Sequence, residues 1–205
     1  MRTLGVIVAG GHGRRLGLSG PKALLRVGAF SLLDRAIATL EGLCDRIVVA
    51  APPLLGLPLP KGMLVQDVPG AEGPLAGLVA GLDSDRYDRA IALGVDFPLV
   101  RPSALNALLD RLGDHSVVLP APGGVPQPLV AAYGPAACQG LKERLAAGER
   151  SVVRAVASIS PLVLSDRELA ELEDGLDNFF NLNTPDDRAE AEYLLRARAD
   201  IRGTV

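Results

Sequence analysis

Residues 6–25 read VIVAGGHGRRLGLSGPKALL. An apolar run rich in β-branched residues ends abruptly at glycines. Arg14, Arg15 and Lys22 then follow before any acid, and the first acidic residue of the chain is Asp34. The run itself, extended to 4–10, predicts a buried strand. The glycines let backbone approach a ligand closely, and exposed N–H groups there can form an anion nest. A strand that empties into glycine and positive charge is suited to holding phosphates. With Arg2 and Arg26 added, five cations precede the first acid, which predicts a small anion-binding site near the N-terminus.

Working outward, helical spacing at 32, 33, 36, 37 and 40 predicts a helix over 31–43. Strands follow at 46–51 and 63–68, and a helix at 73–82 has Pro74 in its first turn. Residues 89–97 predict a fourth strand and 102–112 a helix. Strands at 116–120, 128–133 and 161–164 alternate with helices at 135–147 and 151–157. Ser165 and Glu168 form a capping-box pattern. FFNLN, 179–183, reads as a last short strand, and Thr184 with Pro185 opens a closing helix. Alternation of this kind predicts an α/β fold with a mostly parallel central sheet flanked by helices. No linker divides the chain, so 1–205 reads as a single domain. Ligands in such sheets sit beyond the carboxyl ends of the strands. The ends that matter are then Gly10, Ala50, Asp67 and Asp96.

Composition narrows the function classes. A net charge of −3 argues against a general nucleic-acid binder, and 3% aromatic content without tryptophan leaves no base-stacking platform. Two cysteines and two histidines suggest neither a disulfide framework nor a zinc site. His12 and His115 read as loop and surface residues, and Cys44 as packing. Residues 116–141 carry no charge, but five prolines interrupt them, so they do not form a membrane helix. A cytoplasmic protein is expected.

The glycine loop admits three schemes. A P-loop needs lysine directly after glycine, but Pro21 separates Gly20 from Lys22. A Rossmann loop needs a closer glycine spacing than Gly11, Gly13 and Gly17 provide, and no acid ends the second strand. Arg14 and Arg15 could still serve a phosphorylated nicotinamide cofactor. The third scheme, Gly-Gly leading to Arg, Gly and then Lys, fits throughout. Together with QDVPGAEGPLAGL (66–78), GVDFPLV (94–100), PQPLVAAY (126–133), AGERSVV (147–153) and FFNLNTPDD (179–187), it makes the chain resemble the molybdenum cofactor guanylyltransferases and their cytidylyltransferase relatives. These belong to the α/β nucleotidyltransferases with a Rossmann-like fold.

The resemblance implies a set of roles. Ala9, Gly10, Gly11 and Gly13 would cradle the triphosphate of GTP, or of CTP, with Arg15 and Lys22 on its β and γ phosphates. Asp96 would be a ligand to Mg²⁺, which prefers oxygen donors shared with phosphates. Asp67 would face the base, where a carboxylate can accept both hydrogen bonds of the guanine N1–H and N2 edge. Gly77 would admit substrate. Asn181 and Asn183, placed on one face by strand alternation, would contact a phosphorylated acceptor, molybdopterin. The same residues would otherwise serve turn chemistry, for Asp67 and the asparagines, and helix packing, for Gly77. Pro21 before Lys22 is a pattern shared with cytidylyltransferases, and VVAAPP lacks an asparagine that helps read guanine in some guanylyltransferases. Another nucleotidyltransferase activity, such as molybdopterin cytidylyl transfer or nucleotidyl transfer to a sugar or alcohol phosphate, and a noncatalytic nucleotide-binding partner protein therefore remain alternatives. All of these roles require Lys22 and Asp96 to converge.

Overall fold

A computed structural model describes residues 1–10, 13, 16–17, 20–52, 56–60, 63–66 and 72–202, with side chains described as far as residue 198. Its centre is a seven-stranded sheet. In chain order the strands are β1 (Thr3–Val8), β4 (Arg46–Ala51), β5 (Leu64–Gln66), β6 (Arg89–Gly94), β7 (Val117–Pro120), β8 (Val130–Tyr133) and β9 (Leu162–Leu164). Their spatial order is β5-β4-β1-β6-β8-β7-β9. β8 is antiparallel to both neighbours, and every other pairing is parallel. Two short strands, β2 (Arg26–Val27) and β3 (Phe30–Ser31), form a separate hairpin.

Both faces of the sheet are covered, which is why its strands are apolar on both sides. In β1, Leu4, Val6 and Val8 point into one core and Ile7 into the other. Helices α2 (Pro74–Asp83), α4 (Pro135–Ala146) and α5 (Val152–Ala157) supply the first core; α1 (Leu32–Leu40), α3 (Pro102–Asp110) and the closing helix α7 (Pro185–Arg202) contribute to the second. A short helix, α6 (Asp166–Ala170), follows β9. Each core admits a helix where β1 or its partner is small. Gly5 leaves room for Cys44, whose Sγ would stand 3.0 Å from an added Cβ. Gly81 presses on Val6, where an added Cβ would come within 2.2 Å of Cγ1.

Caps follow the sequence pattern. Ser31 and Asp34 form a capping box at α1, and Ser165 with Glu168 forms the expected one at α6. Thr184 Oγ1 accepts from Asp187 N at 3.2 Å, and Thr184 N donates to Asp187 Oδ2 at 2.7 Å. The mostly parallel sheet flanked by helices is as expected; three local readings are corrected. FFNLN is not a strand: Gly175–Phe179 is a 3-10 turn, and 180–183 has no ladder partner. Phe179 and Leu182 are buried three residues apart, a turn-like spacing that short alternation imitates. β1 and β6 stop at Val8 and Gly94 because the chain turns there, with Phe97 N donating to Gly94 O. α1 ends at Leu40, and Gly42 (φ 85) lies in the turn beyond it. Among the described residues no helix is long and apolar enough to cross a membrane.

Candidate functional site

β4, β1 and β6 lie side by side and parallel, so the segments after all three leave the sheet at one edge. Val8 pairs in register with Gly94. That register places Ala9 and Gly10, which follow β1, beside the turn that carries Asp96. Ala9 N still donates to Ala50 O at 2.9 Å, and its side chain is buried. Gly10 is exposed and packs no closer than 3.5 Å, at the position of an added Cβ, to Pro52. Gly13 (φ 59) and Gly17 (φ 66) both adopt the left-handed conformation that side chains disfavour. The loop then returns through Pro21 into a 3-10 turn, Lys22–Leu24.

That turn delivers Lys22 inward. The residue is only 9% exposed, and its Nζ lies 3.8 Å from Asp96 Oδ2. The same Nζ donates to Asn183 Oδ1 at 3.1 Å. Asn183 Nδ2 donates in turn to Asn181 Oδ1 at 2.8 Å, and Asn181 favours the ionised form of Asp96 beside it. Four side chains, Lys22, Asn183, Asn181 and Asp96, thus gather into a polar ring. Leu182 N donates to Asp96 O at 2.8 Å and holds the asparagine segment against the end of β6. The two asparagines face one way as the sequence suggested, although a turn rather than a strand puts them there.

Burial pushes the Asp96 carboxyl above its ordinary pKa; Lys22, its own backbone and Asn181 pull the other way without cancelling the effect. Asp187 behaves oppositely. Burial acts upward on it too, but N–H groups of Asn183 and Thr184, then the Thr184 hydroxyl and the Lys22 charge, hold it below the usual carboxylate range. Gly94 makes the arrangement possible: a Cβ there would stand 2.4 Å from Asp96 Oδ1.

One reading needs correction. The early cations do not form one cluster. Arg2 lies at the opposite edge, with Nη2 2.7 Å from Asp85 and its N–H on Asp88. Arg26 sits on the hairpin and bonds Ala29 O. Of the described members of that run, Lys22 alone joins the ring. Gly11, Arg15 and Asp67 lie outside the described residues, as do Arg14 and His12. Gly77 is buried in α2, four residues past its cap Gly73, and its N–H donates to Gly73 O. His115 is exposed. Cys44 and Cys138 are free thiols, and burial pushes Cys44 up to about 12.

Sequence reasoning passed over Asp187, although the Thr-Pro-Asp-Asp pattern marks it as a capping-box acid. It also passed over Asn178, which is fully buried and which no periodicity singles out. As a cation site the ring offers one carboxylate and neutral amide oxygens. Such a set fits Mg²⁺, which keeps several waters and shares phosphate oxygens. Among the described residues no three His, Cys, Asp or Glu side chains gather into a metal-binding group.

A lysine and a strand-end carboxylate converging beside a glycine loop, on a sheet of this order, define a nucleotidyltransferase of the α/β class. The chain belongs to a particular branch of it: residues 5–161 match the MobA-like NTP transferase domain family. It is 29% identical over 195 residues to the molybdenum cofactor guanylyltransferase of Desulfosudis oleivorans, covering 94% of this chain and 96% of that one. It is 32% identical over 208 residues to the molybdenum cofactor guanylyltransferase of Sinorhizobium fredii, covering 95% and 93%. The crystal structure of molybdopterin-guanine dinucleotide biosynthesis protein A from Archaeoglobus fulgidus has the same fold, with a TM-score of 0.80 at 23% identity, over 95% of this chain and 99% of that one.

Proposed function

We propose that the chain transfers GMP from GTP to the phosphate of molybdopterin and releases pyrophosphate. The observation that carries this reading is the ring joining Lys22, Asn183, Asn181 and Asp96 at the carboxyl edge, with Lys22 Nζ 3.8 Å from Asp96. It is supported by family membership and by the names of the relatives.

An oxygen of the acceptor phosphate attacks the α-phosphorus of GTP. The bond from that phosphorus to the α–β bridging oxygen breaks, and pyrophosphate leaves with the electron pair. A phosphate monoester is largely dianionic at neutral pH, its second pKa being about 6. The nucleophile therefore needs no general base, and the ring contains no histidine to act as one. The protein's work is positioning and charge neutralisation. Lys22, with Arg15, neutralises the β and γ phosphates as charge builds on the leaving group. Ala9, Gly10, Gly11 and Gly13 offer backbone to the triphosphate. Asp96, with the amide oxygens beside it, would hold Mg²⁺; when bound, the ion offsets phosphate charge as a Lewis acid. Asn181 and Asn183 orient the acceptor, Asp67 reads the guanine edge, and Gly77 leaves room for substrate.

A second reading, cytidylyl transfer, draws on Pro21. With φ −59 and ψ 133, it launches the turn that carries Lys22. One experiment separates the two. Purified protein is given molybdopterin, Mg²⁺ and either GTP or CTP, and pyrophosphate is measured. Release with GTP and not CTP is expected, and Asp67→Ala should weaken GTP binding more than CTP binding by calorimetry. Release with CTP alone makes it a cytidylyltransferase. Release with neither, while a nucleotide still raises the melting temperature, makes it a binding module.

A further inference from the structure

The turn after β6 and the segment that supplies the two asparagines run alongside each other and touch at two points. Near the ring, Leu182 N donates to Asp96 O at 2.8 Å. Five residues after Asp96 and four before Leu182, Arg101 N donates to Asn178 Oδ1 at 2.9 Å. Asn178 is fully buried, and its Nδ2 donates twice, to Glu173 O at 2.6 Å and Gly175 O at 2.9 Å. Beside it Asp174 takes a left-handed backbone (φ 61), and its carboxylate pairs with Arg101 Nε and, at 3.3 Å, with Arg198 Nε. Arg198 lies on α7, and its Nη1 donates to Leu99 O at 2.7 Å. The two loops and the closing helix are therefore tied together outside the ring.

This tie matters because the asparagine segment has little structure of its own. Gly175–Phe179 is a single 3-10 turn, and residues 180–183 belong to neither helix nor sheet. No ladder sets how far Asn181 and Asn183 reach. Besides the Leu182 N–Asp96 O bond between them, their placement depends on anchors at either end: Thr184 and Asp187 at the start of α7, and Asn178 upstream. The chemistry demanded at 178 is specific. One side chain must accept from an N–H and donate to two carbonyls at once, which an amide does and a carboxylate or an aliphatic group does not.

Resting on the guanylyltransferase reading above, we propose that Asn178 is a positioning residue for the transfer. Its amide, seconded by the Asp174–Arg101 pair, sets the distance of Asn181 and Asn183 from Asp96 and Lys22. It acts through the ring and touches neither substrate.

The test is Asn178→Asp in the full chain, which keeps shape but removes both donations. With GTP, Mg²⁺ and molybdopterin, kcat should fall roughly tenfold and the acceptor KM should rise, because displacements of a fraction of an ångström at a reacting site cost that much. The GTP KM should stay within about twofold, since the triphosphate loop is held by other elements. Mn²⁺ affinity of the GTP complex, read by electron paramagnetic resonance, should fall by about threefold or more. A double-mutant cycle with Asn183→Ala separates positioning from mere weakening of the fold. In the Asn183→Ala background the second change should cost less than about threefold. An unchanged kcat, or two losses that multiply in full, overturns the proposal. If Asn178→Asp does not yield folded protein, Asp174→Asn, at a partly exposed site, enters the same cycle under the same criteria. Wild type that releases no pyrophosphate with any nucleotide refutes the functional reading instead; active wild type with an unaffected variant refutes only the role of Asn178.

Discussion

Gly94→Ala should nearly abolish turnover while leaving the fold almost intact. Gly94 is the last residue of β6, and its φ is not positive, so alanine meets no backbone penalty. An added Cβ would lie 3.4 Å from Leu129 Cβ and 3.4 Å from Phe97 Cδ2, which are ordinary contacts. The third neighbour is Asp96 Oδ1 at 2.4 Å, which no carbon tolerates. The carboxylate is the free end of a short side chain, so it yields first, withdrawing by about 1 Å to reach ordinary contact. That withdrawal takes it off Asn181 and out of line with Lys22. A misplacement of about 1 Å at a reacting centre costs about 10²-fold, or about 2.7 kcal/mol of barrier. Steady-state pyrophosphate release at saturating GTP and Mg²⁺ measures kcat, and calorimetric melting measures the fold. The expected result is kcat down about 10²-fold with Tm within about 4 °C, since about 1 kcal/mol shifts Tm by only about 2–4 °C in a chain of this size. Turnover within about threefold of wild type would show that the Asp96 position is not critical. A Tm drop of more than about 10 °C would show that the strand, not the carboxylate, gave way.

Gly81→Ala should show the reverse. Its Cβ would lie 2.2 Å from Val6 Cγ1, between α2 and β1 where nothing can swing aside, so overpacking should cost about 1–3 kcal/mol. Melting should fall by several degrees while kcat at low temperature stays within about twofold; an unchanged Tm contradicts the packing described here. Glu149 gives a pH signature. Hydrogen bonding from Arg154, then from Ser151 N and Arg150 N, lowers its carboxyl from 4.5 to about 2. The folded pKa lies below the unfolded one, so the ionised group stabilises the fold above about 4.5 and ceases to as pH falls toward about 2. Glu149→Gln should therefore melt earlier than wild type at pH 7, and the gap should close between those two values. A gap that persists at the acid end would mean that charge is not what Glu149 contributes.

The convergence of Lys22 and Asp96 was legible because it follows from topology. One residue sits in the segment after β1 and the other after β6, and in a mostly parallel sheet the carboxyl ends of such strands open on one edge. The direction of β8 was not legible: PLVAAY carries the same apolar signal whether it runs up or down the sheet. Asn178 was invisible for a different reason. A buried asparagine looks like any loop asparagine until its three partners are seen, and those partners lie at Arg101, Glu173 and Gly175, so no local pattern connects them all. The early run of cations misled because charge in sequence carries no direction. Arg2 precedes β1 at the far edge, while Lys22 follows it at the near one.

On the proposed reading, the ring also accounts for the presence of an acid in a site for a polyanion. At 3.8 Å Lys22 and Asp96 offset one another, so the pair presents little net charge to an approaching triphosphate. Yet Asp96 is held where burial raises its pKa, so its ionised form is less comfortable in the fold than in water. Such a carboxylate gains more from a second cation than an exposed one would, because less hydration has to be given up. On the proposed reading, a cation held at Asp96 would free the Lys22 ammonium for the phosphates of the leaving group. Asn183, which hydrogen-bonds Lys22 and Asn181 at once, would on that reading stand where the exchange of partners takes place.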